Sequence, residues 1–408
     1  MKLRLLTAIL LGLILVGCEK STNDSPTPKI NNRTVLVYMI AENSLNSFLY
    51  SDISEILDAK NDIPNDCELI LYVDDLNKPR IYNITSESKG ELLSQLTPEY
   101  EYDEDPNSAS ADVFRQVMKY VETNHKANKY GLVMWSHGSG WIESTYSGDK
   151  ETRSLQPKTS FGLDNGKNTG SDVGHQMNID ALANALSDFQ NIDYIIFDAC
   201  FMQTIETAYE LRNVARYVIG SPAEIPGPGA PYDLTIKHLF SNEFNPDTYI
   251  KEYYEYYLNN REVDMGACLS AIDTKQLEMF AESTRQCLAG VSLADSSYVG
   301  VQNYFLYSRW RSMADMPDCY DMQGIMMKQL PADVYPIWKE AFDKVVVAKY
   351  ATPTWYSAYG GYDLPIDTNQ YGGVSMFIPL QKYIDFGDSH FMREFQKTAW
   401  YKKLNDEN

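Results

Sequence analysis

The sequence predicts an α/β fold: a mostly parallel sheet with helices on both faces, followed by a largely helical C-terminal portion. Three observations carry that prediction. Short β-branched runs alternate with helical patterns through residue 219, the order that builds parallel sheets by crossover. The runs are apolar at nearly every position, as strands covered on both sides must be. With 44% hydrophobic and 22% charged residues over 408 positions, the chain supports a sizeable core without disulfide staples.

The elements follow in order. Residues 34–40 give the first strand, then Glu42-Asn43 and a helical pattern through Asp58. Residues 67–73 give a second strand ending in Asp74 and Asp75, and residues 80–85 a short third. Val113, Phe114, Val117, Met118 and Val121 recur at helical spacing over 110–124. Residues 130–136 form a continuous apolar strand; Asn178 or Asp180 caps a helix through Phe189. Residues 193–197 are another buried strand, a helix covers about 202–213, and 217–219 is a further strand. Residues 241–350 read as largely helical, interrupted by a strand-like run at 267–272, and 371–379 reads as a late strand completing the core. The 30 tyrosines, spread through amphipathic helices, read as packing rather than as a carbohydrate platform.

The chain opens on a targeting signal. Lys2 and Arg4 precede an apolar run at 5–16, too short to span a bilayer comfortably and shaped like a secretory signal peptide. It ends in Leu15-Val16-Gly17-Cys18, which resembles a bacterial lipobox; cleavage after 1–17 leaves Cys18 as an acylated N-terminus, anchored stably by several acyl chains. Residues 18–33 then form a flexible tether. The domain plan is completed by a core at 34–240 and a mainly helical region at 241–408. A cell-envelope location follows, at the outer membrane or cell surface.

With 35 basic against 56 acidic residues, the formal charge is −21. That field argues against a nucleic-acid partner, which needs a basic stripe. It suits a soluble surface protein and attracts basic peptides. If Cys18 is lipidated, Cys67, Cys200, Cys268, Cys287 and Cys319 remain: an odd, sparse set that is no disulfide framework.

Two predicted strands end in reactive side chains. The first runs into Ser136-His137-Gly138-Ser139-Gly140-Trp141, the second into Asp198-Ala199-Cys200-Phe201-Met202. In a parallel sheet both ends lie on one edge, so His137 and Cys200 can meet despite their separation in the chain. A histidine neighbour and a following helix N-terminus favour the thiolate a nucleophile needs. The Gly138 and Cys200 amides are candidate donors to a developing oxyanion.

These two motifs, with Glu206-Thr207-Ala208-Tyr209-Glu210-Leu211 after the second, resemble the signatures of clostripain-like cysteine peptidases. Residues 35–45 are similar to that family's first strand and loop, and 220–232 to its post-strand loop. The resemblance covers residues 34–235, and more loosely 315–322 and the late strand. It implies a caspase-like α/β/α sandwich, a His137/Cys200 dyad, and cleavage after Arg or Lys. Asp198, two positions before the nucleophile, then lines the S1 pocket, where a carboxylate pairs with a guanidinium or ammonium. Glu224 is a candidate second acidic wall. The chain departs from the family pattern at Ser221-Pro222-Ala223-Glu224, where acidic pairs are common, and at Phe201, where leucine is common.

Between the motifs, the polar segment 142–176 carries Lys150, Arg153, Lys158 and Lys167. The resemblance suggests self-cleavage there, at Lys150 or Arg153 first; a solvated insertion is the alternative. Asp164, Asn165, Asp172 and Asp180 raise calcium, which some relatives use, but the spacing is not an EF-hand loop. His125, His175, His238 and His390 lack zinc-site partners, so no metal is assigned. The expected partners are peptide or protein substrates with basic P1 residues, and the membrane through the lipid. The rival to the enzyme reading is a surface lipoprotein that binds peptides or proteins on a peptidase-like scaffold without turnover.

Overall fold

A computed structural model describes residues 30–141, 160–167, 174–260, 265–293, 298–304, 319–357, 362–380 and 389–406. The expected lipid attachment at Cys18, the tether through residue 29, and Lys150, Arg153, Lys158 and Asp172 lie outside them; residues 31–33, expected to end the tether, instead open the first strand, with Asn31 and Arg33 buried.

The strands are β1 (Asn31–Ile40), β2 (Cys67–Asp74), β3 (Arg80–Ile84), β4 (Tyr100–Glu101), β5 (Ala127–Trp135), β6 (Phe161–Asp164), β7 (His175–Met177), β8 (Ile192–Asp198), β9 (Tyr217–Gly220), β10 (Cys268–Asp273), β11 (Cys319–Asp321), β12 (Val346–Ala351), β13 (Thr354–Ser357), β14 (Tyr362–Pro365) and β15 (Ser375–Phe377). Nine join in one sheet of order β12-β10-β9-β8-β5-β1-β2-β3-β4. The central five, from β9 to β2, are parallel, and antiparallel strands extend both edges.

Alternation along β1 shows why the run is apolar throughout. Val35, Val37 and Met39 enter the core on one face, Leu36, Tyr38 and Ile40 that on the other. Helices α1 (Asn46–Asp58), α5 (Tyr232–Leu239) and α6 (Pro246–Asn259) cover the first face through Leu49, Ile53, Ile236 and Ile250. Helices α2 (Ala111–Asn124) and α3 (Ile179–Leu186) cover the second through Phe114, Val117 and Leu182. The tyrosines do pack: Tyr249, Tyr253 and Tyr257 repeat every fourth position along α6 and are buried.

The C-terminal half holds more strand than expected: β11 falls within the region expected to be helical, and β13 and β14 were not anticipated. Residues 346–351 lie in a predicted helical region, yet form β12, the antiparallel edge strand beside β10. The sequence Val345-Val346-Val347 favours that outcome: β-branched residues lose rotamer freedom in a helix and fit a pleated edge. The late strand β15 does not extend the nine-stranded sheet; it pairs with β11 in a small sheet of its own. Helices α7 (Leu277–Cys287), α8 (Met322–Gln329), α9 (Tyr335–Val345) and Ala399–Leu404 enclose a third cluster built on Trp338, Phe342 and Trp400. The short helix α4 (Ile205–Glu210) joins it through Tyr209, whose ring meets Trp400 edge-on at 5.5 Å.

Candidate active site

The register of the two central strands sets the site. β5 and β8 pair in parallel with Trp135 opposite Asp198, and the Ser136 N–H donates to the Asp198 carbonyl at 3.4 Å. His137 and Cys200 each stand two residues beyond that matched pair, on strands spaced by about 4.8 Å. The motifs touch at Gly138: a Cβ there would lie 2.8 Å from the Cys200 carbonyl oxygen and 2.8 Å from Met202 Sδ. Gly138→Ala should therefore push the motifs apart, costing about 1–3 kcal/mol as overpacking does. We expect a lower melting temperature and a larger fractional loss of kcat/KM than of stability.

His137 is half-buried, and its Nε2 lies 2.9 Å from Ser44 Oγ in the loop after β1. That loop is fixed by Asn43, whose side-chain amide donates to the carbonyls of Ile40 and Leu163 at 2.9 and 2.8 Å. Ser136 sits beneath, donating to Ile40 O and accepting from the Leu163 N–H. Beyond the histidine, the chain pairs with the β6 hairpin: Gly162 N–H donates to His137 O at 2.9 Å, and Ser139 N–H to Ser160 O at 3.0 Å.

Cys200 does not sit on a helix N-terminus, contrary to expectation. The helix after it, α4, starts only at Ile205 and is capped by Thr204, whose hydroxyl accepts from the Thr207 N–H. The intervening turn needs Phe201 in the left-handed region, φ 59°, rare for a bulky side chain. Its N–H bonds the Ala223 carbonyl and its ring enters a cluster with Trp355 and Tyr371, which holds that conformation. The Ile225 N–H points at Cys200 Sγ, 3.4 Å away. Burial, then the nearby charges of Glu224 and Asp198, push the Cys200 thiol up to about 12. The thiol is thus protonated in this state rather than poised as a thiolate. Buried Glu224 accepts from Ser357 Oγ at 2.7 Å, tying the post-strand loop to β13.

Asp198 closes β8 and is 5% exposed. Its Oδ2 accepts from the Ala230 N–H at 3.1 Å and the Tyr232 hydroxyl at 2.8 Å, while Oδ1, also buried, has no hydrogen-bond partner. Burial pushes this carboxyl up to about 6. The loop carrying Ala230 reaches it only because Gly229, at φ 65°, has no side chain; a Cβ would lie 2.8 Å from Oδ2.

The anchors of Asp198 were not singled out from sequence, although Gly229-Ala230-Pro231-Tyr232 fell within the family-like loop; nor was Ser44. The site's buried Asp52 was missed as well. It accepts from Trp135 Nε1 at 2.7 Å, and burial plus the charge of Asp198 push it up to about 9. A carboxyl raised this way binds a proton in the folded protein that the unfolded chain releases above about pH 4. Its contribution to stability therefore falls as pH rises from about 4 to about 9. Asp52→Asn, which keeps an acceptor for Trp135, should flatten that decline in chemical denaturation measured across the window.

Among the described residues raised for calcium, Asp180 stands apart from Asp164. Asp180 is exposed on α3 and bonds the Ala181 N–H, whereas Asp164 is buried with Glu42 and Asp74. Among the histidines, His125 pairs with Glu68 and Glu99, and His238 with Glu252. All five described cysteines are free thiols.

Comparison with known proteins bears on this arrangement. The model of the clostripain family, peptidase C11, matches residues 37–408. The chain belongs to the clostripain family. It is 28% identical over 239 residues to clostripain of Hathewaya histolytica, a match that takes in 53% of this chain and 43% of clostripain. An X-ray structure of a secreted C11 cysteine protease from Bacteroides thetaiotaomicron, bound to an irreversible peptide inhibitor, superposes with a TM-score of 0.74 at 28% identity over 92% of this chain and 99% of that one. An inactive zymogen C11 protease from Parabacteroides distasonis gives 0.74 at 25% identity, over 93% and 99%. The nine-stranded sheet with helices on both faces is accordingly the caspase-like fold of this cysteine peptidase family.

Proposed function

We propose that this member of the clostripain family is an endopeptidase that cleaves after Arg or Lys, with Cys200 as nucleophile and His137 as general base and acid. The observation that carries this reading is the β5–β8 register, which sets both residues two positions past a matched pair on one sheet edge.

A basic P1 side chain meets the free Oδ1 of Asp198 and neutralises its charge, removing one of the causes that hold the Cys200 thiol high. The thiol proton passes to His137 as sulfur bonds the scissile carbonyl carbon. The Gly138 and Cys200 amides receive the oxyanion. The C–N bond breaks as His137 returns the proton to the leaving amine; water, deprotonated by His137, then hydrolyses the thioester and restores the thiol. Glu224 supplies further negative potential beside the site.

The family match and the relatives' description as secreted fit an exported enzyme. No helix among the described residues is long and apolar enough to cross a membrane. Attachment to the envelope then rests on lipid at Cys18, and self-processing on Lys150 or Arg153. Trapping tests the proposal: an arginine-based electrophile should add to Cys200, read by peptide mass spectrometry, while the matching aspartate compound should not. Unlabelled Cys200, or equal labelling by both, overturns it and favours a binding lipoprotein or another P1 choice.

A further inference from the structure

β1 and β5 run side by side with Met39 opposite Trp135, so the loop after β1 shares its sheet edge with His137. Ser44 lies in that loop, just before α1 starts at Asn46, and its Oγ is 2.9 Å from His137 Nε2. The side chain is exposed, yet the backbone that carries it is pinned from both sides. Asn43, fully buried, donates to the Ile40 and Leu163 carbonyls and accepts from the Leu45 N–H at 2.9 Å. Asn46 donates to the Ala41 carbonyl at 3.0 Å, and the Ala41 N–H donates to the Asp74 carbonyl at 2.8 Å. A short, exposed side chain contributes little to the core, so this bracing serves the position of the hydroxyl.

The state of the nucleophile makes that position matter. In a preformed thiolate–imidazolium pair both ring nitrogens carry protons, and either can face the sulfur. Cys200 is instead a neutral thiol, pushed up by burial and by Glu224 and Asp198. Its base must then start as a neutral imidazole, with the bare nitrogen toward the sulfur and the protonated one turned away.

We propose that Ser44 is a positioning residue for the general base: its hydroxyl holds Nε2 of His137, so that Nδ1 exchanges protons with Cys200 and with the leaving amine. This role deepens the dyad reading and rests on it. As the sulfur–carbon bond forms, the thiol proton moves to Nδ1 and the ring becomes a cation. The Nε2–H then donates to Ser44 Oγ from a charged ring, and such a bond is shorter and stronger than a neutral one. No proton passes to Ser44, and Nδ1 returns its proton to the amine as the C–N bond breaks. A contact that strengthens only as charge develops raises kcat and leaves substrate binding alone.

The test uses the full chain with Ser44→Ala, Ser44→Val and Ser44→Thr, the last two matched in shape and differing in the hydroxyl. Ser44→Ala and Ser44→Val should lower kcat by about 10–100-fold, the loss expected for a hydrogen bond to a charged group, with KM near the parent's. Arginyl and uncharged P1 substrates should lose turnover in equal proportion, unlike a defect in the Asp198 pocket. Alkylation of Cys200 by iodoacetamide, which needs no P1 group, should slow as well. Ser44→Thr should keep most of the activity, and all three should melt with the parent. Unchanged kcat in Ser44→Ala and Ser44→Val, a loss confined to KM or to basic substrates, or equal loss in Ser44→Thr and Ser44→Val overturns the role of Ser44. The dyad survives those results if the arginine-based electrophile still labels Cys200 of the parent; a parent that neither labels nor turns over substrate overturns both.

Discussion

Cys200→Ala lowers hydrolysis of an arginyl fluorogenic peptide by about 10⁴-fold or more, with the fold intact by circular dichroism. Removing the nucleophile of a covalent mechanism takes away every step that depends on it, so the loss resembles that of disabling the whole catalytic unit. The structural cost is small, because the side chain is small and half-buried. The same variant, purified and sequenced from its N-termini, should stay a single chain if Lys150 or Arg153 is cut by the enzyme itself. Retained hydrolysis in the variant would move the chemistry to another residue.

Asp198→Asn is expected to cut kcat/KM for Arg and Lys substrates by about 10²–10³-fold, the effect of truncating one partner of a buried charge pair. Asparagine's oxygen can replace Oδ2 as acceptor for Ala230 and Tyr232, so the loop should hold. Turnover of an uncharged P1 substrate should be unchanged or faster, since the negative charge that raises the Cys200 thiol has gone. The pH profile separates this from general damage. With its carboxyl at about 6, Asp198 is ionised only above that pH, so kcat/KM on arginyl substrates should climb through about 6 in the parent. That limb should vanish in Asp198→Asn. A variant that loses Arg and uncharged substrates equally would make Asp198 structural.

The sheet and the pairing of the two motifs are legible because both rest on local signals: apolar runs at strand length, and reactive residues just past two of them. Parallel pairing then leaves little freedom over which edge they occupy. The extra strand β12 was not legible, because residues 346–351 follow α9 without a break and only pairing with β10 decides between helix and strand. The surroundings of Cys200 were not legible for a similar reason. They are set by Glu224 and by the turn through Phe201, and the helix expected to favour its thiolate starts too late. Gly229 and Tyr232 were visible as residues but not as the cradle of Asp198, since that contact exists only once the loop folds back over β8.

The β6 hairpin sets one further limit on the chain. Its first strand bridges Gly138 through Phe161 and is bonded to Ser136 and His137. β5, which leads into residues 142–159, lies beside β8, which follows them, at the centre of the sheet. Scission between residues 141 and 160 would thus leave both pieces interlocked, travelling as one particle on a sizing column and parting only in denaturant. Were such a cut made, it would serve as a record of activity rather than as a route to dissociation.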